Sequence, residues 1–514
     1  MRKFSICHVV SEATPFAKTG GLADVSSGLC RYLGARGHDV RLFLPLYRRI
    51  REDDLPLTPL AGVEAASIGF GDREYDFEIA TTPLPDSDDV LVHLVDCPAL
   101  FDRESLYTDA EDEHLRFALL SRAAVETCQR LAWAPDVFHV NDWHTGLLPL
   151  YLRTVYGWDE LLARSRTLLT IHNIGYQGVF SADTLAELGF AVERHNLDRS
   201  DLAGGVVNFL KTGLLHADAL STVSRTYAEE IQTPEFGMGL EGILRRRRAD
   251  LTGIVNGVDY GDWNPEKDPL IPRSYSAADL SGKTAAKRDL LEDFGLPVDP
   301  AVPLFGIVSR LTGQKGFELL REILPPLLGR YPMQLVVLGT GERDLETWFQ
   351  RLRDTFPDQV AVYRGYSNEL AHRIEAGADL FLMPSRYEPC GLNQMYSLRY
   401  GTVPIVRRTG GLADTVEPFD PVTGSGTGFV FDAFEPRALL AALLEALSVW
   451  KMPTAWAQLV QNGMAQDFSW DRQGREYEEL FDSMLAAAPV EAEPETVGGD
   501  EPAGDASPPR RPQP

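Results

Sequence analysis

The chain has 514 residues, which predicts two or more domains, and its 44% hydrophobic and 24% charged residues are typical of a globular enzyme. The formal charge of -26 argues against nucleic acids and anionic membranes as partners. No apolar run reaches the roughly 20 residues that a membrane-spanning helix needs. Because Ser11 and Glu12 interrupt the short apolar start, we expect no signal peptide and a cytoplasmic location.

Residues 1–255 alternate strand-like and helix-like segments, the pattern of a parallel sheet with helices on both faces. Polar and apolar residues alternate over Glu74–Thr81, which predicts a hairpin beside this sheet. The predicted strands are Phe4–Val10, Asp39–Leu44, Val90–Val95, Val137–Val140 and Thr167–Ile171, and the predicted helices include Gly21–Leu33 and Glu113–Leu131.

A polar stretch rich in Pro and Gly, from Asn256 to about Leu280, predicts the junction between two domains. Beyond it the alternation restarts and predicts a second doubly wound α/β domain over 256–469. Residues 487–514 have scarcely any large apolar side chain and predict a disordered acidic tail. The predicted strands of the second domain are Leu304–Val308, Gln334–Leu338, Val360–Tyr363, Leu380–Met383 and Val403–Val406.

One octapeptide occurs twice, as Lys18-Thr-Gly-Gly-Leu-Ala-Asp-Val25 and as Arg408-Thr-Gly-Gly-Leu-Ala-Asp-Thr415. Each copy follows a predicted strand and leads into a helix-like stretch. A cation, two glycines and a helix start favour an anion, because glycine allows close approach and the free N–H groups point at negative charge. A single copy is typical of a helix-entry turn, but the recurrence favours a cleft that grips a phosphorylated ligand from both sides.

A second pair of cations follows the first strand of the second domain, in Ser309-Arg-Leu-Thr-Gly-Gln-Lys-Gly316. Ligands bind at such strand ends in doubly wound sheets. Arg310 and Lys315 flank a glycine turn and can bracket a diphosphate, since Arg gives forked hydrogen bonds and Lys a point charge. Surface salt bridges are the alternative for these two residues.

Glu388 follows the predicted strand Leu380–Met383 and precedes Gly391 and Leu392, where a helix is predicted to start. A carboxylate there can bind sugar hydroxyls or stabilise a developing oxocarbenium ion. Capping of the following helix is the alternative. Cys390 has no pattern of His or Asn nearby that would activate a nucleophile, so we expect it to line the pocket wall.

Polar residues beside an aromatic residue occur in Asn141-Asp-Trp-His144, and His172 follows the next strand in Ile171-His-Asn-Ile-Gly-Tyr-Gln-Gly178. This composition suits sugar binding. We expect His172, at a strand end, to belong to the site, and His144 to cap the following helix. The five cysteines and the histidines lack the spacing of metal ligands, so we expect no metal.

These motifs and Ile254-Val-Asn-Gly-Val-Asp259 occur in the order typical of bacterial glycogen synthases and plant starch synthases, and over about residues 1 to 485 the chain resembles that family. The resemblance implies a GT-B fold, with two Rossmann-like α/β domains facing across a cleft and a helix over 470–486 returning to the N-terminal domain. It implies transfer of glucose from ADP-glucose to the non-reducing 4-hydroxyl of an α-1,4-glucan such as glycogen, with retention of configuration and without a cofactor.

The resemblance also implies roles on the N-terminal side of the cleft. His172 is placed against the donor sugar and Asp142 towards the acceptor. The motif that begins at Lys18 is implied to bind the diphosphate and glucose of the donor, through Lys18, Gly20, Gly21 and Asp24.

On the C-terminal side, Arg310 and Lys315 are implied to neutralise the leaving diphosphate, whose negative charge grows in the transition state. Glu388 is implied to hold the glucosyl hydroxyls. Tyr396 occupies the position at which related retaining transferases often carry a second Glu. Further implied contacts are Tyr366 with adenine, Asn256 and Cys390 with the pocket wall, and Gly391, Leu392, Thr409 and Gly410 with phosphates.

Other functions stay open at this point. A transferase that uses UDP-glucose or a small sugar acceptor would keep the same motifs, because no residue fixes the base. A glucan-binding protein without activity would be expected to lack one of Lys18, Arg310, Lys315 and Glu388. A related phosphorylase would need pyridoxal phosphate bound to a lysine.

Overall fold

The computed structural model describes residues 2–53, 55–64, 66–87 and 89–486. The predicted acidic tail over 487–514 lies outside these residues. Two large sheets, each flanked by helices, organise the described part of the chain, which also has a separate two-stranded sheet. The prediction of two α/β domains is therefore confirmed.

The N-terminal sheet has the strand order β12-β11-β8-β7-β1-β2-β6-β5-β3, with β4 paired to β5. Its central pairs are parallel, whereas β5 runs antiparallel to β3, β4 and β6, as the predicted hairpin requires. The strands are β1 Ser5–Val9, β2 Asp39–Pro45, β3 Thr58–Pro59, β4 Ala66–Phe70, β5 Arg73–Pro83, β6 Val90–Asp96, β7 Val137–Asn141, β8 Arg166–Ile171, the separate pair β9 Val179–Ser181 and β10 Val206–Asn208, then β11 Ala219–Thr222 and β12 Leu251–Gly253.

Helices cover both faces of this sheet, and the longest, α4, buries most of its residues. In chain order they are α1 Gly21–Ala35, α2 Arg48–Glu52, α3 Pro98–Phe101, α4 Glu113–Arg130, α5 Leu148–Arg153, α6 Arg199–Ala203, α7 Phe209–His216, α8 Arg225–Glu230 and α9 Glu241–Arg246.

The C-terminal sheet is parallel throughout, in the order β15-β14-β13-β16-β17-β18. Its strands are β13 Leu304–Leu311, β14 Gln334–Gly341, β15 Val360–Arg364, β16 Leu380–Met383, β17 Val403–Arg407 and β18 Phe429–Phe431. Its helices are α10 Ser281–Asp293, α11 Leu320–Leu328, α12 Arg343–Thr355, α13 Asn368–Gly377, α14 Asn393–Tyr400, α15 Gly410–Thr415, α16 Pro436–Trp450 and α17 Pro453–Met464, followed by α18 Trp470–Ala486.

Strands β13 and β14 run further than the apolar pattern predicts. Parallel pairing continues through Arg310 with Thr340 and Leu311 with Gly341. Backbone hydrogen bonds sustain a strand whatever its side chains, so a polar strand end escapes a prediction based on hydrophobicity. The extension carries Arg310 to the edge of the sheet where the cleft opens.

Helix α18 follows the C-terminal domain in sequence and packs on α1 of the N-terminal domain. The buried Glu478 carboxylate accepts from the Tyr32 hydroxyl at 2.8 Å and pairs with His38 Nε2 at 2.9 Å. A Cβ added at Gly28 would lie 2.0 Å from Trp470 Nε1, so a glycine is required where the two helices meet. The domain boundaries at 255 and 469 stay predictions.

In the described residues no single helix is both long and apolar enough to cross a bilayer. Helices α16 and α17 pass that test only as a pair, and the chain bends by 112° between them. The apolar residues of both helices, such as Leu443 and Leu459, belong to the buried core.

Candidate active site in the interdomain cleft

The first octapeptide lies at one wall of the cleft, between β1 and α1. Lys18 Nζ pairs with Asp24 Oδ1 at 2.8 Å, and the Thr14 hydroxyl donates to the same oxygen at 3.0 Å. Burial disfavours the charge of Lys18, but Asp24 more than offsets this and the pKa of Lys18 is raised. Tyr366 and Asp262 also raise this pKa, by smaller amounts.

The backbone of this loop binds a carboxylate of the protein itself. Glu12 accepts from the hydroxyl of Thr19 at 2.6 Å and from the N–H group of Gly20 at 3.2 Å. A Cβ added at Gly21 would lie 3.2 Å from Leu392 Cδ1, so the loop touches the opposite wall. The loop thus has the anion preference that its sequence predicts.

The second octapeptide behaves in the same way. The Glu230 carboxylate, from α8 of the N-terminal domain, accepts from the Thr409 hydroxyl at 2.9 Å and from the Gly410 N–H at 3.1 Å. Asp414 in turn accepts from the N–H groups of Arg225 and Thr226. Each short helix therefore satisfies the N–H groups at the start of the other. That Thr409 and Gly410 bind phosphate stays a prediction.

The opposite wall carries an ion pair. Lys315 Nζ lies 2.6 Å from Glu388 Oε2, and the Ser385 hydroxyl donates to the same oxygen at 3.0 Å. Glu388 is 5% exposed, and its Oε1 has no hydrogen-bond partner in the part of the chain that the structure describes. Gly316, with a φ of +72°, makes the turn, since a Cβ there would lie 2.0 Å from the Pro384 carbonyl oxygen. The turn brings together two residues that lie far apart in sequence.

The floor of the site is built from the loop before α14. Burial raises the pKa of the Cys390 thiol to about 12, although the Asn256 backbone N–H donates to it. A thiol in that state is a poor nucleophile, which agrees with the predicted wall role. Gly391 has a φ of +75°, and a Cβ there would lie 2.4 Å from Gln394 Oε1.

His172 and Asp142 lie on the N-terminal wall, at the ends of β8 and β7. His172 Nε2 lies 2.9 Å from Asn141 Oδ1. Asp142 accepts from the backbone N–H groups of His172 at 2.7 Å and Asn173 at 3.3 Å. Burial raises the pKa of Asp142 to about 7, against the effect of these two hydrogen bonds. Asp142 therefore orients the His172 loop, and its predicted contact with an acceptor stays a prediction.

Two further predicted residues are exposed. Arg310 has no ion-pair partner within the described residues. Burial raises the pKa of the Tyr387 hydroxyl, and the charge of Arg310 opposes part of that rise. Tyr366 is 68% exposed, which leaves its ring free to stack on a flat ligand. That Arg310 and Tyr366 contact a bound molecule stays a prediction.

Tyr396 stacks face to face on Trp263, with ring centroids 3.9 Å apart. His372 stacks on the other face of Trp263 at 3.7 Å. Trp263 belongs to the polar stretch between the domains, so this stack fixes the connecting segment on the C-terminal domain. Tyr396 therefore packs against Trp263 at the position where related retaining transferases often carry a second Glu.

The expectation that His144 caps a helix is wrong. Its ring is buried, and it stacks on Tyr107 at 4.7 Å and packs edge-on against Phe117 at 4.6 Å. The sequence motifs do not contain Glu12 or Glu230, and Asn141 lies in the predicted sugar-binding motif without a role of its own. Glu12 and Asn141 follow predicted strands, as the predicted site residues do. Nothing in the sequence links Glu230 with Gly410.

Comparisons with known proteins give the family. Residues 5–246 match the starch synthase catalytic domain, and residues 291–462 match the glycosyl transferases group 1 domain. A glycogen synthase of Anaeromyxobacter sp. is 47% identical over 486 residues, 94% of this chain and 99% of that protein. A glycogen synthase of Koribacter versatilis is 46% identical over 481 residues, 93% of this chain and 97% of that protein.

A solved structure supports the same family. The catalytic domain of Starch Synthase IV from Arabidopsis thaliana, bound to ADP and acarbose, is 33% identical with a TM-score of 0.87, and the match covers 95% of this chain and all of that one. A sucrose-phosphate synthase from Thermosynechococcus elongatus, 19% identical with a TM-score of 0.59, shares the fold. The two sheets facing across a cleft are the GT-B fold, and the chain belongs to the family of glycogen and starch synthases, which are glycosyltransferases.

Proposed function

We propose that the protein transfers glucose from ADP-glucose to the non-reducing 4-hydroxyl of an α-1,4-glucan, with retention of configuration, in glycogen biosynthesis. The observation that carries this proposal is the Lys315–Glu388 pair, which lies in the wall whose Leu392 touches the Lys18 loop. The ADP in the similar starch synthase structure supports an adenine nucleotide as the donor's leaving group.

Charge supports the binding of a diphosphate in this acidic protein. Lys18 comes from one domain and Arg310 and Lys315 from the other, so each wall supplies positive charge to a ligand in the cleft. Such charge is most useful where negative charge grows in the transition state, as it does when ADP leaves. We propose that Gly391 and Leu392 add backbone N–H groups and that the exposed Tyr366 ring packs on the adenine.

The reaction breaks the bond between C1 of glucose and the β-phosphate oxygen and forms a bond from the acceptor O4 to C1 on the same face. The acceptor proton passes to the departing phosphate oxygen, so no protein base is needed. Glu388 favours positive charge at C1 through its carboxylate. His172 holds a hydroxyl of the donor sugar, and the Lys and Arg side chains supply the positive charge that a metal would otherwise provide. A chelator is therefore expected to leave the rate unchanged.

The test is incorporation of labelled glucose into glycogen, with ADP-glucose and UDP-glucose measured in parallel. Preference for ADP-glucose is the expected result. Preference for UDP-glucose would keep the fold and the reaction but overturn the proposed donor. Incorporation from neither would overturn the glucan synthase function. We propose a cytoplasmic location for this activity, since nucleotide sugars are made there.

A further inference from the structure

Buried polar side chains on one face of the N-terminal sheet form a continuous series of hydrogen bonds that ends at His172. Strand register places His8 beside His139 and Asn141 beside Thr170. The contacts are His172 Nε2 to Asn141 Oδ1 at 2.9 Å, Asn141 Nδ2 to His8 Nε2 at 3.3 Å, His8 Nδ1 to His139 Nδ1 at 3.1 Å, His139 Nε2 to Thr170 Oγ1 at 2.7 Å and Thr170 Oγ1 to Ser221 Oγ at 2.7 Å.

The orientation of Asn141 follows from a neighbour that can only accept. Asn141 Nδ2 lies 3.1 Å from the backbone carbonyl oxygen of Val9. A carbonyl oxygen has no proton to give, so the amide group must point its NH₂ at Val9 and its oxygen at His172. Asn141 Oδ1 is therefore an acceptor, and His172 Nε2 must carry the hydrogen of their bond.

The other two histidines continue the series. Besides the Val9 carbonyl oxygen, Asn141 Nδ2 lies 3.3 Å from His8 Nε2 and 3.4 Å from the His139 carbonyl oxygen, so its second hydrogen has two possible acceptors. When that hydrogen points at His8, Nε2 accepts it. A neutral His8 then carries its hydrogen on Nδ1 and donates to His139 Nδ1. His139 in turn donates from Nε2 to the Thr170 hydroxyl, which donates to Ser221.

Burial keeps these rings neutral. It lowers the pKa of His8 and of His172 to about 3, and it lowers the pKa of His139 well below the ordinary range. A neutral ring with a hydrogen on Nε2 has a lone pair on Nδ1. His172 is only partly buried, and its Nδ1 has no hydrogen-bond partner among the residues described.

We propose that Asn141 is a positioning residue that fixes His172 with its hydrogen on Nε2, so that Nδ1 accepts a hydrogen bond from a hydroxyl of the donor's glucosyl group. The assignment of that hydroxyl to the donor rests on the proposed function. An accepting His172 leaves electron density on the sugar oxygen, which suits a reaction in which positive charge develops at C1. A donating ring would oppose it.

The ligand-free wild-type protein provides the first test, through ¹⁵N NMR of protein labelled at histidine. His172 is assigned from the signal that disappears in His172→Gln. The expected spectrum shows a protonated Nε2 and an unprotonated Nδ1 for His172. A protonated Nδ1, or a doubly protonated ring at neutral pH, would overturn the proposal.

Two variants of Asn141 distinguish its hydrogen bond to His172 from its contribution to packing. Asn141→Asp keeps an acceptor for His172 but cannot donate to His8, so His172 is expected to keep its Nε2 hydrogen while the signals of His8 change. Asn141→Leu removes the acceptor, so His172 is expected to populate both neutral forms and turnover to fall about tenfold or more, the equivalent of one hydrogen bond. An unchanged His172 signal in folded Asn141→Leu would contradict the role of Asn141.

Ser221→Ala is the matched control, because it removes the last acceptor of the series without touching Asn141 or His172. It is expected to leave the His172 signal and the turnover unchanged. The spectrum requires no substrate, so it remains decisive if no nucleotide sugar is used. If the spectrum fails while ADP-glucose is turned over, the proposed function stands and only the role of Asn141 is lost.

Discussion

At the scale of single residues, the site consists of groups that are each paired with a neighbouring side chain. Glu388 forms an ion pair with Lys315, and Lys18 forms one with Asp24. His172 is hydrogen-bonded to Asn141. Each partner also fixes the position of its neighbour's side chain, so the site is already formed before a ligand binds. Preorganised groups of this kind lower the barrier because they need no reorganisation during the reaction.

Asp142 gives a prediction about pH. Burial raises its pKa from 3.8 to about 7, so the folded protein holds this proton more tightly than the unfolded chain does. The stabilising contribution is fully present below the unfolded pKa and is lost as pH rises through about 7. Asp142→Asn keeps an acceptor and stays neutral. Between pH 5 and 8 its stability, followed as melting temperature, is therefore expected to rise relative to the wild type by the equivalent of up to about 3 kcal/mol. Thermal scans across this range provide the measurement, and parallel curves would contradict the shifted pKa.

The residues that sequence analysis identified share one property, which is a position in a local motif. Lys18, Arg310, Lys315, Glu388 and His172 all follow strands beside glycine or aromatic residues. Glu230 carries no such signal, because its partner Gly410 is brought to it only by the folding of two domains. Asn141 was visible in its motif, but its role depends on the direction of hydrogen bonds in three dimensions.

At the scale of elements, α8 and α15 hold the domains together through reciprocal end contacts. Glu230 satisfies the start of α15, and Asp414 satisfies the start of α8. Sequence periodicity predicted the strands and the main helices, since these depend on local pattern. It did not predict that a repeated octapeptide would serve as a contact between domains.

We expect Asp414→Ala to lower the free energy of unfolding by about 1 to 2 kcal/mol, the usual effect of losing a helix cap. Glu230→Ala is expected to have a similar effect, and the double variant less than the sum, because the two contacts share one interface. Urea unfolding provides the measurement. Glu229→Ala, an exposed neighbour on the same helix, is the matched control and is expected to be neutral. An equally large loss of stability in Glu229→Ala would show that the effect comes from the stability of helix α8 and not from its contact with α15.

At the scale of the whole molecule, two domains are joined by a segment without helices or strands, from Asn256 to Leu280, and by α18. Polar contacts such as Arg31 with Asp259 at 3.0 Å link the N-terminal domain to this segment. Interfaces of this kind permit relative motion. A cleft that closes on its ligand would exclude water and suppress hydrolysis of the donor.

Closure predicts that the radius of gyration falls when ADP binds, because one diphosphate attracts cations from both domains. Small-angle scattering with and without ADP provides the measurement. AMP is the matched ligand control, since it lacks the second phosphate and is expected to give a smaller change. Equal radii with ADP and without any nucleotide would count against closure.

The central claim is that glucosyl transfer takes place at the Lys315–Glu388 pair. The most direct test is the rate of glucose incorporation from ADP-glucose into glycogen by wild type and Glu388→Gln. Glu318→Gln is the control, because Glu318 pairs with Arg386 at 2.8 Å and is not among the proposed donor-site residues. We predict that Glu388→Gln lowers kcat by about 10²- to 10³-fold, the usual loss when one electrostatic contact with the transition state is removed, while the control keeps its rate. Equal rates for wild type and a folded Glu388→Gln would contradict the claim.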